Sequence, residues 1–220
     1  MELEGTKVLV LLGGMWHDFD GFSKTIKPLL EKVGCVVEIT YDMDTLTYLD
    51  DEEYNLVLSY TCFSENREGA KESDPEGLTD TQLLGLIRWV QCGGSLLAIH
   101  SATVLGATDS TYAELLGGSF ISHPEPYTFM VYPLMGDHPI KSGIDAFAVH
   151  DEFYIENFDP SVDIHMVSID RSVAHPMVWS KEERRGRVAN IAMGHFPEVW
   201  NLPAYQKLML QTIDWLVNDI

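Results

Sequence analysis

A short apolar run that ends in a histidine most constrains the fold of this chain. Residues 93–103 read GGSLLAIHSAT, in which a glycine pair precedes the apolar segment Ser95–Ile99 and His100 follows it. A run of this length is typical of a central β-strand that is covered on both faces. In open α/β sheets, ligands bind in the crevice beyond the carboxyl ends of the strands. We therefore expect His100 and Ser101 to lie in or beside such a crevice.

The first half of the chain alternates segments typical of strands and of helices. Apolar runs predict parallel strands, and apolar residues at helical spacing predict the helices that cover them. The predicted strands are residues 7–12, 35–40, 54–59 and 95–99, and the predicted helices are residues 22–33, a segment with Thr79 as its N-cap, and residues 111–116. Residues 42–53 predict a loop or a short helix, and the polar residues 60–78 predict either an active-site flap or a solvated surface loop.

The second half lacks long helices until its end. Its strand-like segments predict antiparallel strands and hairpins that extend the sheet, followed by a closing helix from Pro203. These segments are residues 127–132, 146–155, 165–170, 177–180 and 188–193, with residues 181–186 as a charged turn. Because no linker or repeat interrupts the pattern, we expect one α/β domain over residues 1–220.

The charge balance restricts the partners of the protein. The chain has 14 Lys and Arg against 34 Asp and Glu, a formal net charge of -20. This field repels nucleic acid and anionic membrane surfaces, so we expect neither as a partner, whereas a neutral small molecule such as a sugar is compatible with it. No apolar stretch reaches membrane-spanning length, the acidic N-terminus is no signal peptide, and the three cysteines have no paired spacing, so we expect a cytoplasmic protein.

Three predicted strands lead into loops that carry a histidine. The strands ending at residues 12, 99 and 193 are followed by His17, His100 and His195. If these strands are parallel, the three imidazoles emerge at one edge of the sheet. For a lone histidine, a structural role is favoured, in which His100 caps a buried turn through a hydrogen bond; only neighbours from elsewhere in the chain favour a functional role.

The prediction of a metal ion at that edge of the sheet depends only on this convergence of histidines. Zinc requires three or four His, Cys or carboxylate ligands, and the chain has neither an HExxH motif nor a paired-cysteine spacing. The sequence therefore does not identify a cofactor. A divalent metal such as zinc is the candidate that we consider.

A fourth group of polar residues lies in residues 146–156, AFAVHDEFYIE. Period-two alternation predicts that His150, Glu152 and Tyr154 share one face of a strand. A histidine and a carboxylate two residues apart can converge on a metal or a substrate, but a strand with one solvated face gives the same pattern.

Histidine also precedes proline at His123, His138 and His175. Proline favours extended geometry in the residue before it, so each pair is also explained as part of a turn. His123 follows the helix after the central strand, and we expect it to lie nearest the crevice.

The segments GGSLLAIHSAT, YAELLGGSFISHP, DHPIKSGIDAFAVHDEFY and MGHFPEVWNLPAYQKLMLQTIDWLV together resemble the ThuA-like family, named for trehalose utilisation. The resemblance covers nearly the whole chain. It implies a flavodoxin-like three-layer sandwich of the class I glutamine amidotransferase-like type, with added antiparallel strands in the C-terminal half. It also implies a role in sugar metabolism, on trehalose-like disaccharides or their keto derivatives.

In true amidotransferases, a cysteine nucleophile stands on the turn after the central strand. Here that turn carries His100, which disfavours hydrolysis of glutamine through a thiolate. We therefore expect a hydrolase, lyase or isomerase acting on sugars or keto sugars, with the bond and the sugar open.

The resemblance and the strand ends together assign roles to the candidate residues. His100, Glu152 and His150 are expected to be catalytic, with His100 as acid, base or ligand and Glu152 accepting a proton or orienting an imidazole. The residues expected to bind the substrate are Trp16, His17, Ser101 and Tyr154, with Trp16 or Tyr154 stacking on a sugar ring. The residues expected to bind the metal are His123 and His195.

Two other functions stay open at this stage. One is a non-catalytic ligand-binding or assembly protein that retains the fold, and the other is a hydrolase that uses Cys62. The oligomeric state is also open, a homo-oligomer included.

Overall fold

Apolar strands from the first half of the chain form the parallel part of a large sheet. The computed structural model describes residues 3–50, 52–63 and 77–218. The parallel strands are β1 (Lys7–Gly14), β2 (Val36–Thr40), β3 (Leu56–Cys62), β4 (Ser95–Ile99) and β11 (Gly186–Ile191), which lie in the order β2-β1-β3-β4-β11. Every residue of β3 and β4 is buried, as expected for central strands with both faces covered.

Helices cover both faces of this parallel part. They are α1 (Phe19–Lys32), α2 (Asp80–Gln91), α3 (Ser110–Leu116), α4 (Pro197–Trp200) and α5 (Pro203–Val217). Apolar residues of α1 and α5 belong to one core, and those of α2 and α3 belong to the core on the other face. The predicted N-cap Thr79 is confirmed, since its hydroxyl accepts the N–H of Gln82 and the Gln82 side chain accepts the N–H of Thr79.

Antiparallel strands extend the sheet beyond β11, as the sequence predicted. β10 (Val173–Glu183), β9 (Asp163–Asp170), β6 (Tyr127–Pro133) and β7 (Phe147–Asp151) follow in that order and complete nine strands within the described residues. Four successive antiparallel pairings separate β11 from β7 across the sheet, so β7 runs in the same direction as β11. The carboxyl end of β7 therefore emerges at the same edge as those of the parallel strands.

The prediction of one continuous strand over residues 146–155 was wrong. β7 ends at Asp151, and β8 (Ile155–Phe158) pairs instead with β5 (Gly118–Ser122) in a separate two-stranded sheet. The alternating pattern misled because Phe153 is buried in the core between the two strands rather than on a strand face. The short strand β5, which follows directly on a helix-ending glycine, was not predicted.

The structure gives no view of most of the predicted flap, and it bears on the prediction that no segment spans a membrane. The proposed flap or loop falls for the most part on residues 64–76, which lie outside the described residues. Among the helices that the structure describes, none has both the length and the apolar character needed to cross a membrane.

Candidate metal centre

Four side chains, each from a loop that follows a strand, lie close together around one point at one edge of the sheet. His17 follows β1, His100 follows β4, His195 follows β11, and Glu152 follows β7. One donor atom from each of these four residues lies within 4.8 Å of all the others. The expected convergence of the three imidazoles is thus confirmed, and Glu152 joins them from the antiparallel half.

His100 is held at the turn after the central strand in a strained backbone conformation. Its φ is 48°, which is unfavourable for a residue with a side chain, and such strain is found preferentially at functional sites. The fully buried ring places Nδ1 2.8 Å from the carbonyl oxygen of Ala192. Because a carbonyl only accepts, Nδ1 carries the proton, and in the neutral ring Nε2 is left with a lone pair 3.3 Å from Oε2 of Glu152.

His17 shows the same arrangement. Its Nδ1 donates to the carbonyl oxygen of Met15 at 2.8 Å, so its Nε2 carries a lone pair. Burial, reinforced by His100 nearby, lowers the pKa of His17 to about 3. The ring is therefore neutral at physiological pH, which is the form that binds metal.

Glu152 lies between the imidazoles. Its Oε2 is 3.1 Å from Nδ1 of His195 as well as 3.3 Å from Nε2 of His100. Burial raises the pKa of the Glu152 carboxyl, but contacts with His100 and His195 outweigh burial and hold that pKa below its usual range. Within the described part of the chain, its ion pairs are with imidazoles alone, so no lysine or arginine balances the carboxylate.

Among the described residues, the ring nitrogens that face this point make no well-aligned hydrogen bond, although two of them lie 3.1 and 3.3 Å from Oε2 of Glu152. They are Nε2 of His17, Nε2 of His100 and Nδ1 of His195, all buried. Buried polar atoms are almost always hydrogen-bonded, so three orphaned nitrogens around one carboxylate require an explanation. A divalent metal at this point would satisfy these nitrogens and balance the carboxylate charge.

The spacing of two donor pairs also fits a metal. For metal–ligand bonds of about 2.0–2.1 Å in a tetrahedral site, neighbouring ligand atoms lie about 3.3 Å apart. The contacts of Glu152 Oε2 with His195 and His100, 3.1 and 3.3 Å, agree with this value. Backbone carbonyls orient His17 and His100 in the way that outer-shell partners orient histidine ligands.

One side of the cluster is open to solvent. The side chains of Glu152 and His195 are 13% and 18% exposed, and that of the adjacent His123 is 34% exposed. A catalytic metal needs such access because substrate or water must occupy a coordination position. Trp16, 61% exposed on the β1 loop, lies one residue before His17.

The structure brings three other predicted residues close to the cluster without placing them among the four donors. Nε2 of His123 is 3.7 Å from Oε1 of Glu152, whereas His100 and His195 contact Oε2. The buried Tyr154 packs its ring 4.0 Å from that of His100 and is stacked against His123. Ser101 is fully buried, and its hydroxyl has no hydrogen-bond partner in the part of the chain that the structure describes.

His150 is not brought to the cluster. The prediction that it shares a face with Glu152 was wrong, because β7 ends at Asp151 and the alternation stops there. His150 is exposed, with Nδ1 3.2 Å from the hydroxyl of Thr128. Cys62 is buried at the end of β3 and does not occupy the turn after β4.

Sequence reasoning missed Asp151, which is fully buried and accepts the N–H groups of Gly194 and His195. A signal for it was present. Asp151 is in phase with Phe147 and Val149 on the apolar face of β7, where a charged residue is unusual.

Comparisons with known proteins agree with this fold. The chain resembles a ThuA-like protein from Parabacteroides merdae ATCC 43184, with 16% identity and a TM-score of 0.80 over 98% of this chain and 91% of that one. It likewise resembles a ThuA-like protein from Bacteroides uniformis ATCC 8492, with 16% identity and a TM-score of 0.77 over 99% and 93% of the two chains.

A third structure is similar over part of its length. The β-galactosidase from Rahnella sp. R3 has 12% identity and a TM-score of 0.64, over 98% of this chain but 32% of that one. At these identities, structural similarity shows the fold alone. No curated protein matches the chain in sequence.

The family model described as ThuA, trehalose utilisation, matches residues 7–216. This match includes all four strand ends that form the cluster. The chain therefore belongs to the ThuA family of trehalose utilisation.

Proposed function

We propose that this protein is a metal-dependent enzyme of carbohydrate metabolism that acts on trehalose-like disaccharides or their keto derivatives. The description of the family, trehalose utilisation, supports a sugar as the substrate. The observation that supports the metal is the convergence on Glu152 of three buried imidazole nitrogens that make no well-aligned hydrogen bond within the described residues. A divalent ion bound there would act as a Lewis acid toward a carbonyl or hydroxyl oxygen of the sugar.

The residues of the chain supply orientation and proton transfer. The carbonyls of Met15 and Ala192 fix the protonated nitrogens of His17 and His100, so both rings present lone pairs to the ion. His123 stands on the open side with Nε2 next to Glu152, where it can accept a hydrogen bond from a sugar hydroxyl. The exposed indole of Trp16 offers an apolar surface for the face of a sugar ring.

We also assign this chain a flavodoxin-like arrangement in a single domain. The order of its parallel strands, β2-β1-β3-β4-β11, corresponds to the flavodoxin-like order 2-1-3-4-5, and the cluster lies at the strand ends where such sheets bind ligands. A cysteine-dependent amidotransferase is disfavoured, because His100 occupies the turn after β4. The widely spaced cysteines support a cytoplasmic location.

The proposal is tested first by metal content. The purified protein is stripped with a chelator, reconstituted with Zn²⁺, Mn²⁺, Fe²⁺ or Co²⁺, and analysed by mass spectrometry. We expect about one ion per chain in the wild type and in His150→Ala, which changes an exposed histidine outside the cluster, and none retained by Glu152→Gln. A wild type that retains no metal would contradict the metal centre.

Turnover is then measured with trehalose and its keto derivatives, using loaded and stripped protein. We expect activity in the loaded wild type and its loss on stripping and in His100→Ala. Metal binding without turnover of any of these sugars would favour the non-catalytic alternative.

A further inference from the structure

The segment 192–195, which leads from β11 to His195, is held by hydrogen bonds to each of its first three carbonyls. The carbonyl of Ala192 accepts from His100, and that of Met193 accepts from the hydroxyl of Tyr205 at 3.1 Å. The carbonyl of Gly194 accepts from the hydroxyl of Tyr60 at 3.0 Å and from the indole N–H of Trp200 at 2.5 Å. The carbonyl side of this segment is thus fixed by buried aromatic residues.

The N–H side of the same segment is held by one carboxylate. Oδ2 of Asp151 accepts the N–H of Gly194 at 2.7 Å, and Oδ1 accepts the N–H of His195 at 3.1 Å. Gly194 has a φ of 138°, and a side chain there would lie 2.9 Å from the Tyr205 hydroxyl. Only glycine therefore allows the two consecutive N–H groups to point at Asp151.

Asp151 connects three of the four metal-facing residues. Glu152 is its neighbour in the chain, and the backbone of His195 is bonded to its carboxylate. His100 is connected through the carbonyl of Ala192, at the start of the segment that Asp151 holds. Displacement of Asp151 would therefore shift the donors from β4, β7 and β11 together.

This carboxylate carries a large desolvation penalty. Asp151 is 0% exposed, and within the described residues no ion pair to it is found. Removal of a carboxylate from water is unfavourable unless strong hydrogen bonds or a cation compensate for it. The two backbone N–H groups provide part of that compensation, and the metal-facing residues lie beside it.

We propose that Asp151 is a positioning residue that sets the metal affinity of the centre by holding Glu152, His195 and His100 in ligating geometry. It touches neither metal nor substrate. This inference rests on the proposed metal centre and goes beyond it by naming the group that preorganises the ligands.

The test uses Asp151→Asn, which keeps the shape of the side chain but replaces one accepting oxygen with an NH₂ group. Asparagine cannot accept both N–H groups with its two terminal atoms. Co²⁺ is titrated into stripped protein in competition with a chromophoric chelator, and the visible absorption of bound Co²⁺ reports the ligand geometry. We expect affinity to fall about 10–100-fold, as for other outer-shell changes, with an altered Co²⁺ spectrum.

A matched control is Asp109→Asn. Asp109 also accepts two backbone N–H groups, those of Thr111 and Tyr112 at the start of α3, but it lies outside the cluster. We expect this variant to keep the wild-type Co²⁺ affinity and spectrum even where its unfolding temperature falls. Loss of Co²⁺ affinity in both variants would indicate a general effect of replacing aspartate by asparagine, whereas a positioning role affects only Asp151→Asn.

If Asp151→Asn does not fold, Tyr205→Phe tests the same segment, because it removes the donor to the Met193 carbonyl and keeps the ring. It is expected to weaken Co²⁺ binding and to change the spectrum in the same direction. Wild-type affinity and spectrum in the folded variant would overturn the positioning role and leave the metal centre standing. A wild-type protein that binds no Co²⁺ would instead overturn the metal centre itself.

Discussion

Two groups of buried and partly buried histidines in this protein differ in what their ring nitrogens contact. At the rim of the parallel strands, three ring nitrogens of His17, His100 and His195 face Glu152 without a well-aligned hydrogen bond among the described residues. In the antiparallel half, His138 and His165 stack with their ring centroids 4.0 Å apart. Both groups are close-packed, and only the first has the properties of a ligand site.

The second pair has partners for the nitrogens that the first group leaves free. Nδ1 of His138 accepts the N–H of Ile140, and Nε2 of His165 is 2.7 Å from the hydroxyl of Ser180. Burial lowers the pKa of His165 to about 3, as it does for His17. Close ring packing and a histidine with a lowered pKa, His17 in one group and His165 in the other, are thus common to both groups. Convergence of ring nitrogens on a carboxylate distinguishes the proposed metal centre.

The largest expected difference between the groups is in metal affinity. His100→Ala removes a ligand, so we expect affinity for Zn²⁺ or Co²⁺ to fall more than about 100-fold, beyond the usual effect of an outer-shell change. His165→Leu, which removes an imidazole from the other group, should leave the affinity unchanged. Competition with a chelator measures the metal affinity of both variants. Equal losses of affinity in the two variants would contradict the assignment of the metal site to the first group.

Metal should also stabilise the fold through the first group only. At a free metal concentration of about 100 times Kd, binding adds about 2.7 kcal/mol, which raises Tm by roughly 5–10 °C in a protein of this size. The shift is expected in the wild type and in His165→Leu, and it should be absent in Glu152→Gln. Differential scanning calorimetry with and without metal measures it, and a shift that persists in Glu152→Gln would place the ion elsewhere.

A smaller effect is expected from His165→Leu on metal-free stability at pH 7. The substitution leaves the buried hydroxyl of Ser180 without its partner, which should reduce the free energy of unfolding by about 1–3 kcal/mol. Urea unfolding at pH 7 measures this deficit.

The deficit should shrink as the pH falls. The pKa of His165 is about 3 in the folded protein and 6.5 in the unfolded chain, so the unfolded wild type binds the proton first. The wild type therefore loses stability as pH falls from about 6.5 toward 3, and the leucine variant lacks this loss. A deficit that stays constant between pH 7 and pH 4 would contradict a buried neutral His165.

The smallest effect is expected at His150. This exposed side chain contacts Thr128 and lies outside the cluster. His150→Ala should change metal affinity less than about twofold and stability by no more than about 0.5 kcal/mol. A larger loss of metal affinity would show that His150 reaches the centre and would restore the role that the sequence pattern suggested.

Much of the fold followed from local pattern. The apolar runs of β1, β3 and β4, the capping box at Thr79 and the helical spacing in α1 depend on residues close together in the chain, so the sequence predicted them. The break after Asp151 was not predictable in this way. Its cause is long-range, since Asp151 bonds to Gly194 and His195, more than forty residues later.

For the site, the sequence by itself determined that His17, His100 and His195 follow strand ends, and parallel strands bring such residues to one edge. Only the tertiary structure decided that Glu152 joins them and that His150 does not. The physical reason is that the direction of β7 depends on four successive antiparallel pairings, and the turn after it depends on a buried carboxylate. Which ring nitrogens keep a free lone pair is likewise set by distant backbone carbonyls such as that of Ala192.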